Sequence, residues 1–427
     1  MVNRSILILL LVCCSSMLSA QYALEDYIQT AKDNSPLLKS NKNQSEATRI
    51  EIERLKAVYT KPQVGLTANY LLAPVLSQDN GKTTLELNPT NPEKYFGYDV
   101  STNNGGLYQG VVGISQPLFN QSKFKVVADE AIIGTQVNEN NIRLTSHEIE
   151  KIVTDQYIFC LQDNRQIEFY NRYIALLQEQ KELVTKLINA SLLKLSDLSL
   201  LNIELQIQVI NLNTAQTSYR KNLLGLNILS GINDTSYHLL NNIDLQLKPD
   251  EGNSAFTQQF SLDSALLIAH QNVFELRYKP QVNAFANAGL TAVNISTLYR
   301  RFGVNAGFGL TWNLFDGRQK ELTRSRTKVL LKSSGAYKEN FITQNTVRKN
   351  SILIELKAIR ERTSLTDSQL REYDKLLENY KQQLSKGQIS VIDYLNTVKN
   401  AMALQKEYIL MQANQQLLIN AYNYWNW

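Results

Sequence analysis

The residues of this 427-residue chain that could do chemistry are few and poorly placed for catalysis. His147, His238 and His270 stand alone, without the partner ligands at short spacing that a metal site needs. Gly303-Val304-Asn305-Ala306-Gly307-Phe308-Gly309 is rich in glycine, but it lies in a strand pattern and lacks a nucleotide-cradling layout. No Gly-x-Ser-x-Gly elbow occurs. Asp393 is the best-placed acid: Ser390-Val391-Ile392-Asp393 has capping-box spacing, which would use the carboxylate at a helix start. Neither an enzyme nor a cofactor is implied.

The segments that must carry these residues come twice. Gln116-Pro117-Leu118-Phe119-Asn120 recurs as Trp312-Asn313-Leu314-Phe315-Asp316, 196 residues on. Leu195-Ser196-Asp197-Leu198-Ser199-Leu200-Leu201-Asn202 recurs as Ile389-Ser390-Val391-Ile392-Asp393-Tyr394-Leu395-Asn396, 194 residues on. Each copy opens on period-two segments. Val64, Leu66, Ala68, Tyr70 and Leu72 alternate with Gly65, Thr67 and Asn69 in one. Val304, Ala306, Phe308, Leu310, Trp312 and Leu314 alternate with Asn305, Gly307, Gly309, Thr311 and Asn313 in another. Strands are predicted near 63–73, 109–117, 281–292 and 303–313, with Phe285 an apolar exception on a polar side. One apolar and one small, polar face suits strands between lipid and a wet lumen. A half-buried soluble sheet gives the same alternation, so the pattern alone leaves both open.

Proline is absent from Leu118 to Lys248 and again from Gln281 to the end. That permits, in each copy, a helix running from the Phe-Asn or Phe-Asp turn to near Ile188 or Leu384, about 100 Å long at 1.5 Å per residue. Asn120 and Asp316 are the expected N-caps. Return helices are expected from Ser196 to Ser230, stopped by Gly231, and from Ser390 to about Tyr424. Leu370, Tyr373, Leu376, Tyr380 and Leu384 form a coiled-coil seam. Residues 74–108 read as a long loop, 293–302 as a short one, and 232–260 as the linker between copies.

With 44 basic and 39 acidic residues interspersed, no basic face for nucleic acid stands out. Residues 1–20 read as a signal peptide: Arg4, then an apolar run from Ile6 to Cys14, then Leu18-Ser19-Ala20 before Gln21. Cys13 and Cys14 raise a lipoprotein alternative, which ranks second because neither follows a small residue. Cleavage would leave Cys160 as the one cysteine, so packing rather than disulfides must hold the chain together. Beyond the signal no stretch is apolar and long enough for a membrane helix.

In this order and double occurrence the residues resemble the TolC-type outer-membrane efflux family. The resemblance rests on Leu24...Ala31...Asn34-Ser35-Pro36, Leu262-Asp263-Ser264...Ala269...Asn272, the Pro-Leu-Phe turn and the Gly387-Gln388-Ile389-Ser390...Asp393-Tyr394-Leu395-Asn396 hairpin. It implies a mostly α chain with a small β part, built of repeats at 21–249 and 250–427. It also implies a homotrimer with a 12-stranded barrel in outer-membrane lipid of a Gram-negative cell, continued by a periplasmic helical tunnel. Such a duct is a passive conduit docked on a periplasmic adaptor protein and an inner-membrane transporter.

The resemblance also marks residues. Asp393 corresponds to the first acid narrowing the periplasmic aperture, and Asn396 replaces the second; Leu384 and Ile389 stand where the family keeps a Tyr and an Arg. Three carboxylates around a pore axis favour cations. Ser199 stands where Asp393 stands, and Leu193 occupies the position of Gly387. Leu193, Ser196, Gly387 and Ser390 are the expected adaptor-docking tips. Tyr70 and Trp312 suit a membrane-interface belt, or are ordinary strand residues.

The offset between copies falls from 238 at Leu24 and Leu262 to 218 at Pro62 and Pro280, so copy two lacks 20 residues between Asn272 and Pro280. If these formed the helix rising to the barrel, the tunnel wall would lose about 30 Å at one position. The alternative to an efflux duct is therefore a non-transporting coiled-coil relative in the outer membrane or periplasm. A soluble periplasmic binding protein is a third possibility.

Overall fold

The computed structural model describes residues 23–79, 81–87, 94–97, 106–250, 252 and 254–427; the signal segment expected at 1–20 lies outside the described residues. The helices are α1 (Leu24–Asn34), α2 (Pro36–Thr60), α3 (Gln121–Asn189), α4 (Leu195–Ser230), α5 (Gln258–Glu275), α6 (Gln319–Ser385) and α7 (Val391–Trp425). The strands are β1 (Gln63–Leu72), β2 (Val75–Asp79), β3 (Lys82–Glu86), β4 (Tyr95–Phe96), β5 (Gly106–Leu118), β6 (Gln281–Ala292) and β7 (Phe302–Thr311). Contacts divide the chain into two compact units, one holding residues up to 42, 140–258 and 338–427, the other 43–139 and 259–337.

The first unit is helical. Three tyrosines with no exposed surface, Tyr27, Tyr157 and Tyr219, centre its core, and each spends its hydroxyl on the extended segment after α4. Tyr27 Oη lies 2.9 Å from His238 Nε2, while Tyr157 and Tyr219 donate to the carbonyls of Asn241 at 2.8 Å and His238 at 2.7 Å. Burying the rings is favourable only because the hydroxyls find partners. Gly231 ends α4 at φ 65°, as expected of a left-handed C-terminal stop.

Farther along, carboxamides of α7 and of Asn426, the residue that caps its end, grip the linker. Gln416 Oε1 accepts the Leu245 N–H at 2.7 Å, Asn423 Oδ1 accepts the Lys248 N–H at 2.8 Å, and Asn426 Nδ2 donates to the Pro249 carbonyl at 2.8 Å. Side-chain amides thus satisfy an extended backbone that has no strand beside it among the described residues.

Cys160 has no exposed surface, and burial pushes its thiol up to about 12, so it packs as a small apolar residue.

The second unit carries a four-stranded antiparallel sheet in the order β1-β5-β6-β7. Register places Val64, Ile114, Ala286 and Ala306 in one cross-strand row and Leu66, Val112, Ala288 and Val304 in the next, so the apolar residues of both copies share one face. The opposite face collects Thr67, Asn69, Gln109, Asn287, Thr291 and Asn305, with Asn287 Nδ2 donating to Asn305 Oδ1 at 2.9 Å. Phe285 finds its place there because its cross-strand partner is Gly307: a Cβ at Gly307 would lie 2.9 Å from the Phe285 ring.

The structure departs from two expectations. Within 74–108 the chain forms a three-stranded sheet in the order β3-β2-β4 rather than loop alone, its β2–β3 turn closed by Gly81 at φ 78°. Asp316 caps α6, its carboxylate accepting the N–H groups of Arg318 and Lys320 at 2.8 Å each, but Asn120 Oδ1 accepts nothing; left-handed Phe119 turns the chain into α3 instead.

The shortening of copy two does not leave β6 without a helix leading to it. α5 runs through a 3-10 turn at Leu276–Tyr278 almost directly into β6. Hydrogen bonds tie it to α3, through His270 and Glu130, and to α6, where Ser264 meets Ser334 at 2.9 Å and Arg324 donates to Glu275 at 2.6 Å. α2 stands beside α3 in the same unit, joined by Asn138 Nδ2 donating to Ser45 Oγ at 2.8 Å. Copy two thus has the single helix α5 before β6, where copy one has α1 and α2 before β1.

Candidate functional site

The two helical hairpins turn by the same hydrogen bonds, at the same offset that separates the Phe119 and Phe315 turns. Ser191 and Gly387 both adopt the left-handed region, at φ 62° and 67°. Leu192 N–H bonds the Leu187 carbonyl at 2.9 Å, and Gln388 N–H bonds that of Gln383 at the same distance. Both are Schellman closures. The left-handed residue of the first hairpin is therefore Ser191, whereas Leu193, which the sequence comparison set opposite Gly387, lies beyond it toward α4.

Each return helix then starts under an acid at its third position. Ser390 Oγ accepts the Asp393 N–H at 3.1 Å and donates to Asp393 Oδ2 at 2.6 Å. In the first hairpin the return helix starts at Leu195, one residue before the expected Ser196, its N-cap is Lys194, and Asp197 Oδ2 accepts the Lys194 N–H at 3.0 Å. Asp197 is thus the capping counterpart of Asp393, at the same offset as the two turns.

The buried faces of the two helices keep a different register. Leu201, Gln208 and Ala215 of α4 are buried, as are Leu395, Met402 and Ile409 of α7, and these pairs share the smaller offset of the Leu195 and Ile389 segments. Between cap and core the copies therefore differ by two residues, which is about 200° of rotation at 3.6 residues per turn. Relative to the packed face it is Ser199, with its exposed side chain, that matches Asp393. One carboxylate in the second hairpin combines two positions that the first divides between Asp197 and Ser199. A constant offset from Phe119 and Phe315 onward was the sequence signal for Asp197; the better residue match at the smaller offset hid it.

Asp393 and Asn396 are both exposed, one turn apart on α7. Leu384 is fully buried against the hairpin core with Val391 and Tyr394, so it packs and makes no polar lock. Lys399 reaches across to the buried carboxylate of Glu204 at 3.0 Å, and Lys381 pairs with Glu179 at 2.7 Å. Among the described residues no group of three or more His, Cys, Asp or Glu side chains could hold a metal ion.

Of the isolated histidines, His147 is the most enclosed. Its ring stacks on Tyr424 and Trp427 with centroids 4.8 and 4.2 Å away, and Nε2 lies 3.0 Å from the Tyr424 carbonyl. Burial holds the imidazole below its ordinary value. A neutral, stacked ring closing a helix end is packing chemistry.

On the sheet, the apolar face is open: Leu66, Val304 and Phe308 are each at least 75% exposed. The outer edges of β1 and β7 pair with no strand among the described residues. No described helix is long and apolar enough to cross a membrane.

No protein-family model and no curated protein sequence matches the chain. Solved structures do. The chain resembles the CmeC outer membrane channel of Campylobacter jejuni, with a TM-score of 0.68 and 13% identity over 94% of this chain and 85% of that one. It resembles the outer membrane protein VceC of Vibrio cholerae, with a TM-score of 0.69 and 15% identity over 94% and 96%. The open state of the Neisseria gonorrhoeae MtrE outer membrane channel gives 0.68 and 12% over 94% and 88%. The chain has the fold of the TolC-type outer-membrane channels: mostly α-helical, with a small antiparallel sheet.

Proposed function

We propose that the chain is an exit duct of the Gram-negative outer membrane, a homotrimer whose three sheets close one 12-stranded barrel above a periplasmic helical tunnel. It is a passive conduit with no catalytic step of its own. The signal-like segment at 1–20 routes it out of the cytoplasm. Its hairpins, at Leu193 and Ser196 in one and Gly387 and Ser390 in the other, meet a periplasmic adaptor protein and through it an inner-membrane transporter.

One observation carries this reading: among the described residues, a sheet with an exposed apolar face ends in two unpaired edges. In lipid an open edge leaves backbone N–H and C=O groups without partners at several kcal/mol each, so only closure with other copies is tenable. Three four-stranded sheets give a barrel of common size. The shortening of copy two is compatible with a sealed wall, because α5 is bonded to both α3 and α6 beneath β6.

The test is fractionation of expressing cells followed by mass measurement in detergent. Outer-membrane recovery as a trimer is expected. Recovery in the soluble periplasm, or a stable monomer in detergent, overturns the reading.

A further inference from the structure

The four strands and the β6–β7 connection contain no acidic residue, and their charge is confined to two neighbours, Arg300 and Arg301. Both line a concave cleft of about 760 Å³ on the small, polar face of the sheet, together with Gln109, Asn287, Thr291 and Asn305. Arg301 is held there by the ladder's end, where its carbonyl accepts the Thr291 N–H at 3.2 Å. Alternation from Asn305 and Gly303 puts residue 301 on the same polar face. Arg300 lies over the Tyr299 ring with its Cζ 5.1 Å from the centroid. Neither guanidinium has an ion-pair partner among the described residues. The rest of that face is uncharged: amides, hydroxyls and glycines, with Val111 and Phe285 among them.

We propose that Arg300 and Arg301 form an anion-binding collar at the loop end of the barrel's polar face, which takes the phosphate, sulfate or carboxylate group of a solute in the lumen. The inference rests on the duct reading, because three chains are needed to bring six guanidinium groups around one lumen. A guanidinium stays charged at any working pH and offers a planar fork of donors matched to an oxyanion. The neutral wall leaves nothing to cancel the field locally. Charge in a narrow polar pore sets which ions enter. The collar therefore opposes the cation preference that Asp393 would impose elsewhere in the pore.

The experiment measures reversal potentials of the purified trimer in planar phosphatidylcholine bilayers under a potassium chloride gradient, with pyrophosphate as the blocking probe. The collar predicts that Arg300→Gln with Arg301→Gln lowers the chloride-to-potassium permeability ratio about threefold near 0.1 M salt. Near 1 M, where the screening length shrinks from about 10 to about 3 Å, the change should fade. Pyrophosphate block should weaken about tenfold, and Arg300→Lys with Arg301→Lys should keep most of the selectivity, since charge is retained. Detergent mass confirms that each variant is still a trimer.

A conducting trimer whose selectivity and block do not change on the glutamine substitutions overturns this inference alone. An effect that emerges only when lipopolysaccharide is added to the bilayer assigns the arginines to lipid phosphates and overturns it as well. A wild-type trimer that conducts nothing overturns the duct reading, and this inference with it.

Discussion

Asn423 holds Lys248 by a two-point clasp: its Oδ1 accepts the Lys248 N–H at 2.8 Å while its Nδ2 donates to the Gln246 carbonyl at 2.8 Å. Gln416, two turns earlier on the same stripe of α7, holds Leu245 through its backbone N–H. The linker between copies has no strand partner among the described residues, so these carboxamides fix its later part as the tyrosine hydroxyls fix its earlier part. Asn423→Leu should cost about 1 kcal/mol, the net worth of such bonds at a half-exposed site. It should also quicken proteolysis at 244–250. Limited proteolysis beside a thermal melt checks it; unchanged cleavage would mean the linker is held by the tyrosine contacts alone.

Ser191 bears the strain of a left-handed backbone that Gly387 bears freely. Ser191→Gly should therefore stabilise the first hairpin by about 0.5–1 kcal/mol, and Gly387→Ala should destabilise the second by about 1 kcal/mol. Opposite signs in denaturant midpoints are the expected result. Equal effects of one sign would show that the turns are set by packing and not by backbone preference.

The strands and long helices were legible because their signals are local. Period-two alternation located β1, β6 and β7 closely, and proline-free spans bounded α3 and α6. The β5 segment began earlier than expected, at Gly106, because glycine and glutamine hid its alternation. β2 to β4 were missed since short strands amid Asn, Gly and Pro read as turn chemistry. The hairpin acids were half legible. Residue identity aligned the helix cores, but the turn geometry that places Asp197 depends on Ser191 taking a conformation that its residue type disfavours.

His147 should make the fold acid-sensitive. Burial depresses its native value below the unfolded value of about 6.5, so as pH falls the unfolded chain binds the proton first. Stability is unaffected by this group above about pH 6.5 and declines as pH drops below it, until the native pKa is passed. Glu150 partly offsets this, while Lys32 and Lys248 reinforce it. His147→Gln should lower the melting temperature at pH 7.5, because the stacks on Tyr424 and Trp427 are lost, yet flatten its fall between pH 7.5 and 5.5. Parallel slopes for wild type and variant would exclude the histidine as a cause.

Asp197, Ser199 and Asp393 separate capping from pore electrostatics. Asp393 caps α7 through Ser390 and, in the duct reading, also faces the lumen; Asp197 caps α4 but is rotated by about 200° relative to its packed face. Asp197→Ala should therefore cost about 1 kcal/mol and leave ion preference as it was. Asp393→Ala should cost a similar amount and also weaken cation preference, by removing three carboxylates from the trimer's axis. Ser199→Asp adds an acid at the position that matches Asp393 on the helix face, and close to a helix N-terminus, where negative charge is tolerated. It should raise cation preference with little change in melting temperature. Reversal potentials and melts of the three variants decide the matter: a selectivity change in Asp197→Ala, or none in Ser199→Asp, would mean that the turn and not the packed face orients these side chains to the pore.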